Sequence, residues 1–275
     1  NKIPEQFYRP RTAVDRSEIT RCEKITTEIF PKVEEGAKLI ANTIEAEIRA
    51  AQTAGRECVL GLGTGQSLTP VFEELIRRHE EGLSFANVVV FNAYEYFPLK
   101  VGSKNSSLHK LHELFLDKVD IKACNIFSPD GTIGQDNVQA HCRAYEQKIA
   151  DKGGLDIIVL GIGRMGNIAT NEPGSTITST SRIILTDAIS REEMTMSFGS
   201  QEPVPPCTLT MGVATILKAK KIFLTAWGDE KANIIEKTVE APIPDPIPAT
   251  FLQTHNDATV VIDLAAAAKL TRIVR

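Results

Sequence analysis

Residues 58–75 read CVLGLGTGQSLTPVFEEL, and this stretch decides the fold class. A short apolar run at 58–62 leads into a glycine-rich loop and then into a segment with apolar residues at helical spacing. This order predicts a strand, a turn and a helix in succession. The same rhythm recurs, so we predict further strands near residues 88–91, 125–127, 155–160, 182–185, 222–226 and 259–262. Because runs such as VVVF and DIIVL suit strands that are buried on both faces, we predict a doubly wound α/β fold, with a mostly parallel sheet and helices on both faces.

Two regions depart from this rhythm. Apolar residues at helical spacing within residues 17–53, including Ile25, Ile29 and Ile48, predict two N-terminal helices separated by Pro31. The string APIPDPIP, residues 241–248, predicts an extended surface arm, because proline removes backbone donors. An α/β fold of this length commonly forms one domain, so we treat residues 1–275 as a single domain and leave open a further domain beyond them.

The composition excludes several classes of protein. The chain has 275 residues, 42% of them hydrophobic and 24% charged, with a net charge of -4 and no basic stripe, so nucleic acid is not an expected partner. The longest apolar runs are far shorter than the roughly 20 residues that span a bilayer, and the first residues lack the apolar core of a secretory signal. We therefore expect a cytoplasmic protein with no membrane partner.

Metal binding is not expected either. The five cysteines occur singly, without a CxxC pair, which predicts neither a zinc site nor a disulfide framework. His109 and His112 stand three residues apart on a predicted helix, but no third ligand accompanies them, so we expect no metal.

Two glycine-rich loops follow predicted strands, and ligands of open α/β sheets bind outside the carboxyl ends of the strands. The first loop, GLGTGQSLTP at residues 61–70, opens a helix, so its free amides and the helix dipole favour an anion such as phosphate. The second, GIGRMGNIATNEPGS at residues 161–175, combines four glycines with Arg164, two asparagines and Glu172, which is typical of a binding loop. The alternative for both loops is a simple connection between strand and helix.

Six segments in chain order carry a family resemblance. They read LGLGTGQSLTPVFEEL, FNAYEYFPL, GIGRMGNIATNEPGS, LTMGVATIL, WGDEKA and PATFLQTH. From about residue 58 to its end the chain resembles the glucosamine-6-phosphate deaminase/isomerase family, whose fold is Rossmann-like. The resemblance implies conversion of glucosamine 6-phosphate to fructose 6-phosphate and ammonia, by ring opening and proton transfer from C2 to C1. It implies a sugar phosphate as the partner and neither metal nor cofactor; self-association into a homo-oligomer stays open.

The resemblance implies a phosphate-binding site that is half present. The family holds phosphate with a threonine- and glycine-rich loop, and the matching residues here are Gly63, Thr64, Gly65, Ser67 and Thr69. Lys231 in GDEKA also matches, and Gly163 and Arg164 of the second loop are further candidates for contact with the ligand.

The phosphate-binding arginine of the family has no match. The family has this arginine in a segment like ANSRFF, whereas the chain reads MTMSFGS, so Met196 or Ser197 stands at that position. Neither side chain can bind phosphate bidentately. Arg164 or Arg191 could supply the charge from a nearby position, and a solvated surface arginine is the alternative.

The family's proton-transfer positions also differ. Where the family reads like FNMDEY, with the aspartate as the C2 base, the chain reads FNAYEY and has Tyr94. A phenol with an ordinary pKa near 10 is a poor base at neutral pH, and Glu95, one residue on, should point away. The family loop GxGxDGHIAFNEP carries an aspartate, a histidine and a glutamate as the ring-opening relay. The matching residues are Met165, Asn167 and Glu172, of which only Glu172 is retained.

These substitutions lead us to expect weak or altered activity, because loss of a general base alone costs about 10²- to 10⁴-fold. Three functions remain open: a hexose-phosphate enzyme that uses groups such as Tyr94 and Glu172, a non-catalytic sugar-phosphate-binding or regulatory protein, and a structural or interaction module. Trp227, just before Gly228, could cover one face of a sugar or pack in the core.

Overall fold

The computed structural model describes Tyr8, residues 19–195, Phe198, residues 202–243 and residues 247–274. The strands are β1 (Ile19–Arg21), β2 (Thr26–Phe30), β3 (Cys58–Leu62), β4 (Val88–Asn92), β5 (Tyr94–Phe97), β6 (Ile126–Phe127), β7 (Ile157–Gly161), β8 (Arg182–Leu185), β9 (Cys207–Thr210), β10 (Lys221–Ala226), β11 (Ala258–Asp263) and β12 (Arg272–Val274). The α-helices are α1 (Val33–Thr53), α2 (Thr69–Glu80), α3 (Ser107–Leu114), α4 (Val138–Asp151), α5 (Ala188–Thr195), α6 (Val213–Leu217) and α7 (Ala232–Glu240).

The central sheet has seven parallel strands in the order β2-β11-β10-β7-β3-β4-β6. All residues of β4 are buried, as the continuous apolar run predicts for a strand covered on both faces. One face packs against α1 and α2 through residues such as Ile44 and Leu75, and the other packs against α4 and α7 through Tyr145 and Ile235. The predicted doubly wound α/β fold is therefore confirmed.

The seven predicted strand positions all hold strands, within two residues of the predicted bounds. One of them lies in a different sheet from the one we predicted. Strand β8 pairs antiparallel with β9, which pairs antiparallel with β5, and these three form a separate small sheet. The sequence did not predict β5 or β9, because β5 follows β4 after the single residue Ala93 and β9 has only four residues.

The prediction of two N-terminal helices is wrong for the first of them. Residues 17 and 18 lie outside the described residues, and Ile29 belongs to β2, which pairs in parallel with β11 at the edge of the central sheet. The four-residue spacing of Ile25 and Ile29 resembles a helical period. However, the β-branched residues between them and the edge of β11 favour a strand. Pro31 separates β2 from α1, the second of the predicted helices, whose residues Ile40 and Ile48 are fully buried.

The proline-rich segment reaches the second glycine loop. Residues 244–246 lie outside the described residues, but Ile247 packs where a Cβ on Gly166 would otherwise lie, and the Ala249 N–H donates to the Gly166 carbonyl at 3.1 Å. A 3-10 helix, Pro248–Thr254, then leads toward β11. Each helix in the described part of the chain is either too short or too polar to cross a bilayer.

Candidate functional site

The two glycine loops meet at the carboxyl ends of β3 and β7, the adjacent strands at which the strand order reverses. Strands β4 and β6 lie beyond β3, whereas β10 and β11 lie beyond β7. The Gly63 N–H donates to the Val159 carbonyl at 3.1 Å, and a Cβ on Gly161 would lie 2.5 Å from the Ser67 hydroxyl oxygen. A glycine at position 161 therefore lets the first loop approach the second closely. Open α/β sheets bind ligands outside the carboxyl ends of the strands at such a reversal, and the region between the two loops is called the crevice below.

The first loop presents side-chain hydroxyls beside the helix α2. Gly65 is exposed, its carbonyl accepts the Leu68 N–H at 3.0 Å, and Thr69 begins α2. Thr64 is buried: its hydroxyl donates to the Tyr94 hydroxyl oxygen at 3.0 Å and lies 2.9 Å from the Ser107 hydroxyl. The hydroxyl of Thr64 is thus already engaged by two neighbours from β5 and α3.

Trp227 holds the first loop from the other side. Its Nε1–H donates to the Ser67 carbonyl at 2.8 Å, and its ring lies where a Cβ on Gly36 of α1 would otherwise stand. The indole therefore packs between the loop and α1. Of the two roles open from the sequence, these contacts favour packing.

Tyr94 begins β5 and directs its hydroxyl at Thr64. The ring of Tyr96 meets the Tyr94 ring edge-on, with 5.7 Å between centroids. Burial raises the pKa of the Tyr94 phenol, and the nearby Glu95 carboxylate raises it further. The phenol therefore keeps its proton at neutral pH and cannot serve as a general base there.

Glu95 points to the opposite face of β5 and caps helix α3. Its carboxylate accepts the Ser107 N–H at 2.7 Å, the Leu108 N–H at 3.1 Å and the Ser106 hydroxyl at 2.6 Å. Burial raises the pKa of this carboxyl, and the hydrogen bonds only partly offset that effect. Carboxylates are favourable at helix N-termini, so the contacts of Glu95 are those of a structural cap.

Asn167 and Glu172 form a buried pair in the second loop, each with 6% of its surface exposed. The Asn167 Nδ2–H donates to Glu172 Oε2 at 2.6 Å, and the Ser190 hydroxyl donates to the same oxygen at 3.1 Å. The Asp187 N–H donates to the other carboxylate oxygen at 3.3 Å. Because a carboxylate only accepts, the amide nitrogen must face Glu172 and the amide oxygen must face away.

The amide oxygen of Asn167 is buried and has no hydrogen-bond partner. It lies on the side of Gly163, where an added Cβ would come within 3.0 Å of it. An unsatisfied buried acceptor costs about 1–3 kcal/mol, so a hydrogen-bond donor such as a hydroxyl or ammonium group would be favourable beside this oxygen. Asparagine can hold such a group, but it cannot exchange a proton with it at neutral pH.

The backbone beside this pair is held in an unusual conformation. Ala169 has a φ of 50° and Gly166 a φ of 80°, and the left-handed region costs a residue with a Cβ about 1 kcal/mol. The Asn171 side-chain amide fixes the turn by donating to the carbonyls of Ile168 at 2.9 Å and Met211 at 2.8 Å. Strained backbone that its surroundings hold in place commonly marks a ligand site.

Lys231 supplies a positive charge to the crevice. It follows the turn at Gly228, which has a φ of 91°, and its Nζ donates to the Ile162 carbonyl at 3.0 Å. The same Nζ lies 3.4 Å from a carboxylate oxygen of Glu193 on α5. A cation from the loop after β10 thus reaches the second glycine loop after β7.

The side chains of Arg164, Met165 and Arg191 are not among these contacts. The side chains of Arg164 and Arg191 are exposed, and Met165 is partly exposed. Met196 and Ser197, which match the family's arginine segment, lie outside the described residues.

The two histidines considered for metal binding have acidic neighbours. His109 Nε2 lies 3.3 Å from Glu113, and His112 Nδ1 lies 2.7 Å from Asp117. In the parts of the chain that the structure describes, no three histidine, cysteine or acidic side chains are grouped so that they could hold a metal ion.

Sequence reasoning missed three contributors to the crevice: Ser107, Ser190 and Glu193. Ser106 and Ser107 at the start of α3 carry a recognisable helix-start signal, since the Ser106 hydroxyl accepts the His109 N–H at 3.2 Å. Ser190 and Glu193 carry no comparable signal, because only the packing of α5 brings them to the second loop.

The fold is a doubly wound α/β fold in which two polar, glycine-rich loops meet at the reversal of the strand order. A family model described as glucosamine-6-phosphate isomerases/6-phosphogluconolactonase matches residues 31–261. The chain belongs to this family.

Individual relatives agree with this assignment. The chain is 54% identical over 276 residues to a putative glucosamine-6-phosphate deaminase-like protein of Bacteroides thetaiotaomicron, a match that covers 100% of this chain and 42% of that relative. The chain therefore spans less than half of that relative's length. It is 39% identical over 233 residues to a glucosamine-6-phosphate deaminase of Pseudarthrobacter chlorophenolicus, covering 85% of this chain and 88% of the relative.

Solved structures show the same fold. A monomeric glucosamine-6-phosphate deaminase matches with a TM-score of 0.83 and 35% identity, covering 88% of this chain and 99% of that one. The 6-phosphogluconolactonase of Trypanosoma brucei matches with a TM-score of 0.71, covering 90% of this chain and 100% of that one. At 18% identity the second match supports the fold alone.

Proposed function

We propose that this chain binds a hexose phosphate in the crevice and that its turnover by the family's deamination reaction is weak or altered. The observation that carries the proposal is the buried pair of Asn167 and Glu172. At the position that matches the family's relay histidine, the amide nitrogen is committed to Glu172, and the amide oxygen is left without a donor. Such a group can accept a hydrogen bond from a sugar hydroxyl or amine but cannot shuttle its proton.

The binding half of the proposal rests on the surroundings of this pair. Lys231 provides a cation, and the partly exposed Ser67 and Thr69 hydroxyls lie on the loop that matches the family's phosphate-binding segment. The named deaminases among the relatives make an amino-sugar phosphate the first ligand to test.

The chemical half rests on two replaced proton carriers. Tyr94, at the match to the family's base, keeps its proton because burial raises its pKa, and Asn167 has no titratable group. Each missing general acid or base costs about 10²- to 10⁴-fold in rate, so turnover far below that of the family is expected.

Binding is tested by calorimetry and thermal unfolding with glucosamine 6-phosphate, fructose 6-phosphate and unphosphorylated glucosamine. A ligand at ten times its Kd stabilises the folded chain by about 1.4 kcal/mol, so both phosphates should raise the melting temperature and glucosamine should not. If neither hexose phosphate shifts the transition or gives heat of binding, the proposal is wrong and a structural module becomes the better explanation.

Turnover is tested by ammonia release from glucosamine 6-phosphate. We expect the unmodified chain to be slow and the double variant Tyr94→Asp with Asn167→His to release ammonia faster. Family-like rates in the unmodified chain would contradict the assignment of the missing base.

A non-catalytic sugar-phosphate-binding protein is the second candidate. The hydrogen bond from the Thr64 hydroxyl to the Tyr94 hydroxyl oxygen favours this candidate. It connects the loop that matches the family's phosphate-binding segment to the residue at the position of the family's C2 base. This candidate would be supported if glucosamine 6-phosphate binds but neither the unmodified chain nor the double variant Tyr94→Asp with Asn167→His releases detectable ammonia.

A further inference from the structure

Helix α5 lies against the crevice through polar contacts. Its buried residue is Ser190, whose hydroxyl donates to Glu172, whereas Ile189, Arg191 and Glu192 are exposed. A short helix with little buried apolar surface has low local stability, so its position depends on such polar contacts.

The Glu193 side chain from α5 occupies an anion-binding position. One carboxylate oxygen lies 3.4 Å from Lys231 Nζ, and the other accepts the backbone N–H of Arg164 at 3.3 Å. The Lys231 side chain is 16% exposed and the Glu193 side chain 36% exposed, so the pair lies only partly in solvent. An ammonium group and a glycine-loop amide that converge on one carboxylate form the kind of donor set that also binds phosphate.

We propose that Glu193 is a built-in competitor for the phosphate of the ligand: its carboxylate and the phosphate bind the same donors, Lys231 and the Arg164 N–H, and exclude one another. This proposal rests on the proposed function and assigns a regulatory residue to the same site. The single Arg164 N–H cannot donate a full hydrogen bond to a carboxylate and a phosphate at once, and two anions held beside the same ammonium group repel one another. Glu193 must therefore leave when phosphate binds.

Departure of Glu193 also affects α5. The helix then loses its contact with Lys231 and the Arg164 N–H and keeps the contact between Ser190 and Glu172. Because coupling between two binding events is reciprocal, a change that weakens the hold of Glu193 on Lys231 must strengthen binding of the phosphate.

The experiment is calorimetric titration of glucosamine 6-phosphate into the unmodified chain, Glu193→Gln and the matched control Glu192→Gln. Glu192 is the adjacent exposed glutamate of the same helix, so its variant makes the same charge change away from Lys231. We expect Glu193→Gln to lower the Kd about five- to tenfold, a modest effect because the pair is partly solvated, and Glu192→Gln to change it less than about twofold. The gain should shrink as salt rises, since salt screens the repulsion that the substitution removes.

Hydrogen exchange gives a second measurement on the same three proteins. Amides of residues 188–195 should exchange faster in Glu193→Gln than in the control, and faster in the unmodified chain once glucosamine 6-phosphate is bound. If the Kd of Glu193→Gln equals or exceeds that of the unmodified chain, the proposal that Glu193 competes with phosphate is wrong. The same holds if Glu192→Gln lowers the Kd as much as Glu193→Gln does. Either result leaves the proposed function intact. If glucosamine 6-phosphate binds to none of the three proteins, both the proposed function and the proposed role of Glu193 are wrong.

Discussion

Substitution of Asn167 by aspartate tests the buried pair at the centre of the site. The variant Asn167→Asp keeps the shape of the side chain but replaces the amide that donates to Glu172 at 2.6 Å with a second carboxyl group. Two carboxylates at that distance in a buried site cannot both be ionised, so the introduced carboxyl keeps its proton to a pH above the usual range of aspartate. Its pKa in the unfolded chain stays near the ordinary value of about 3.9.

The sign and the size of the effect follow from this difference. A group whose pKa is raised in the folded state loses its stabilising contribution as the pH rises from the unfolded pKa through the folded one. If the shift is about two units at about 1.4 kcal/mol per unit, the variant loses roughly 3 kcal/mol at pH 7 but little at pH 3.5. Urea unfolding of the variant and the unmodified chain at several pH values measures this difference.

A matched second substitution separates the charge effect from packing. In the double variant Asn167→Asp with Glu172→Gln, one partner is again an amide and the other a carboxylate, so most of the loss at pH 7 and its pH dependence should disappear. If Asn167→Asp alone costs the same at pH 3.5 and pH 7, the two side chains are not in direct contact and the reasoning fails.

Two further substitutions are expected to separate stability from ligand binding. Burial alone would raise the pKa of Asp156, but hydrogen bonds from Lys220, the backbone and Arg56 hold this pKa below its ordinary value. The ionised Asp156 therefore stabilises the fold above about pH 4, and this contribution is lost at lower pH. Asp156→Asn should therefore cost about 1–2 kcal/mol at pH 7, and the loss should narrow below pH 3 in acid-unfolding curves. Gly161→Ala places a Cβ 2.5 Å from the Ser67 hydroxyl oxygen, which can rotate away. We expect the free energy of unfolding of Gly161→Ala to stay within about 1 kcal/mol of that of the unmodified chain, and its Kd for glucosamine 6-phosphate to be severalfold higher. Adding Ser67→Ala to this variant should not weaken binding further.

The layout of the central sheet could be predicted because its strands are apolar on both faces. The run at β7 has no polar residue between Ile157 and Leu160, and only a strand between two layers of helices tolerates that. The edge strand β2 was missed because its exposed and buried residues alternate over only the four positions before the buried Phe30. The small sheet was missed because pairing between β5 and β9 is set by tertiary packing, which no local pattern reports.

The candidate site could be predicted as two loops but not as a set of contacts. The glycines and the order of strands place residues 61–70 and 161–175 at one edge of the sheet, and the structure brings them together there. The bond from Thr64 to Tyr94 and the approach of Glu193 to Lys231 join segments more than 25 residues apart. Such contacts depend on where helices and strands pack, so they cannot be predicted from the spacing of residues along the sequence. The assignment of residues 1–275 to one domain stays a prediction.

The retention of Glu172 has an explanation that does not require catalysis. Among the three positions that match the family's relay, this glutamate is the one whose side chain accepts hydrogen bonds from Asn167, Ser190 and the Asp187 N–H, and so joins the second loop to helix α5. A buried carboxylate with three donors is costly to remove, because each donor is then left unsatisfied. These three hydrogen bonds account for a glutamate at position 172 whether or not the site is catalytic.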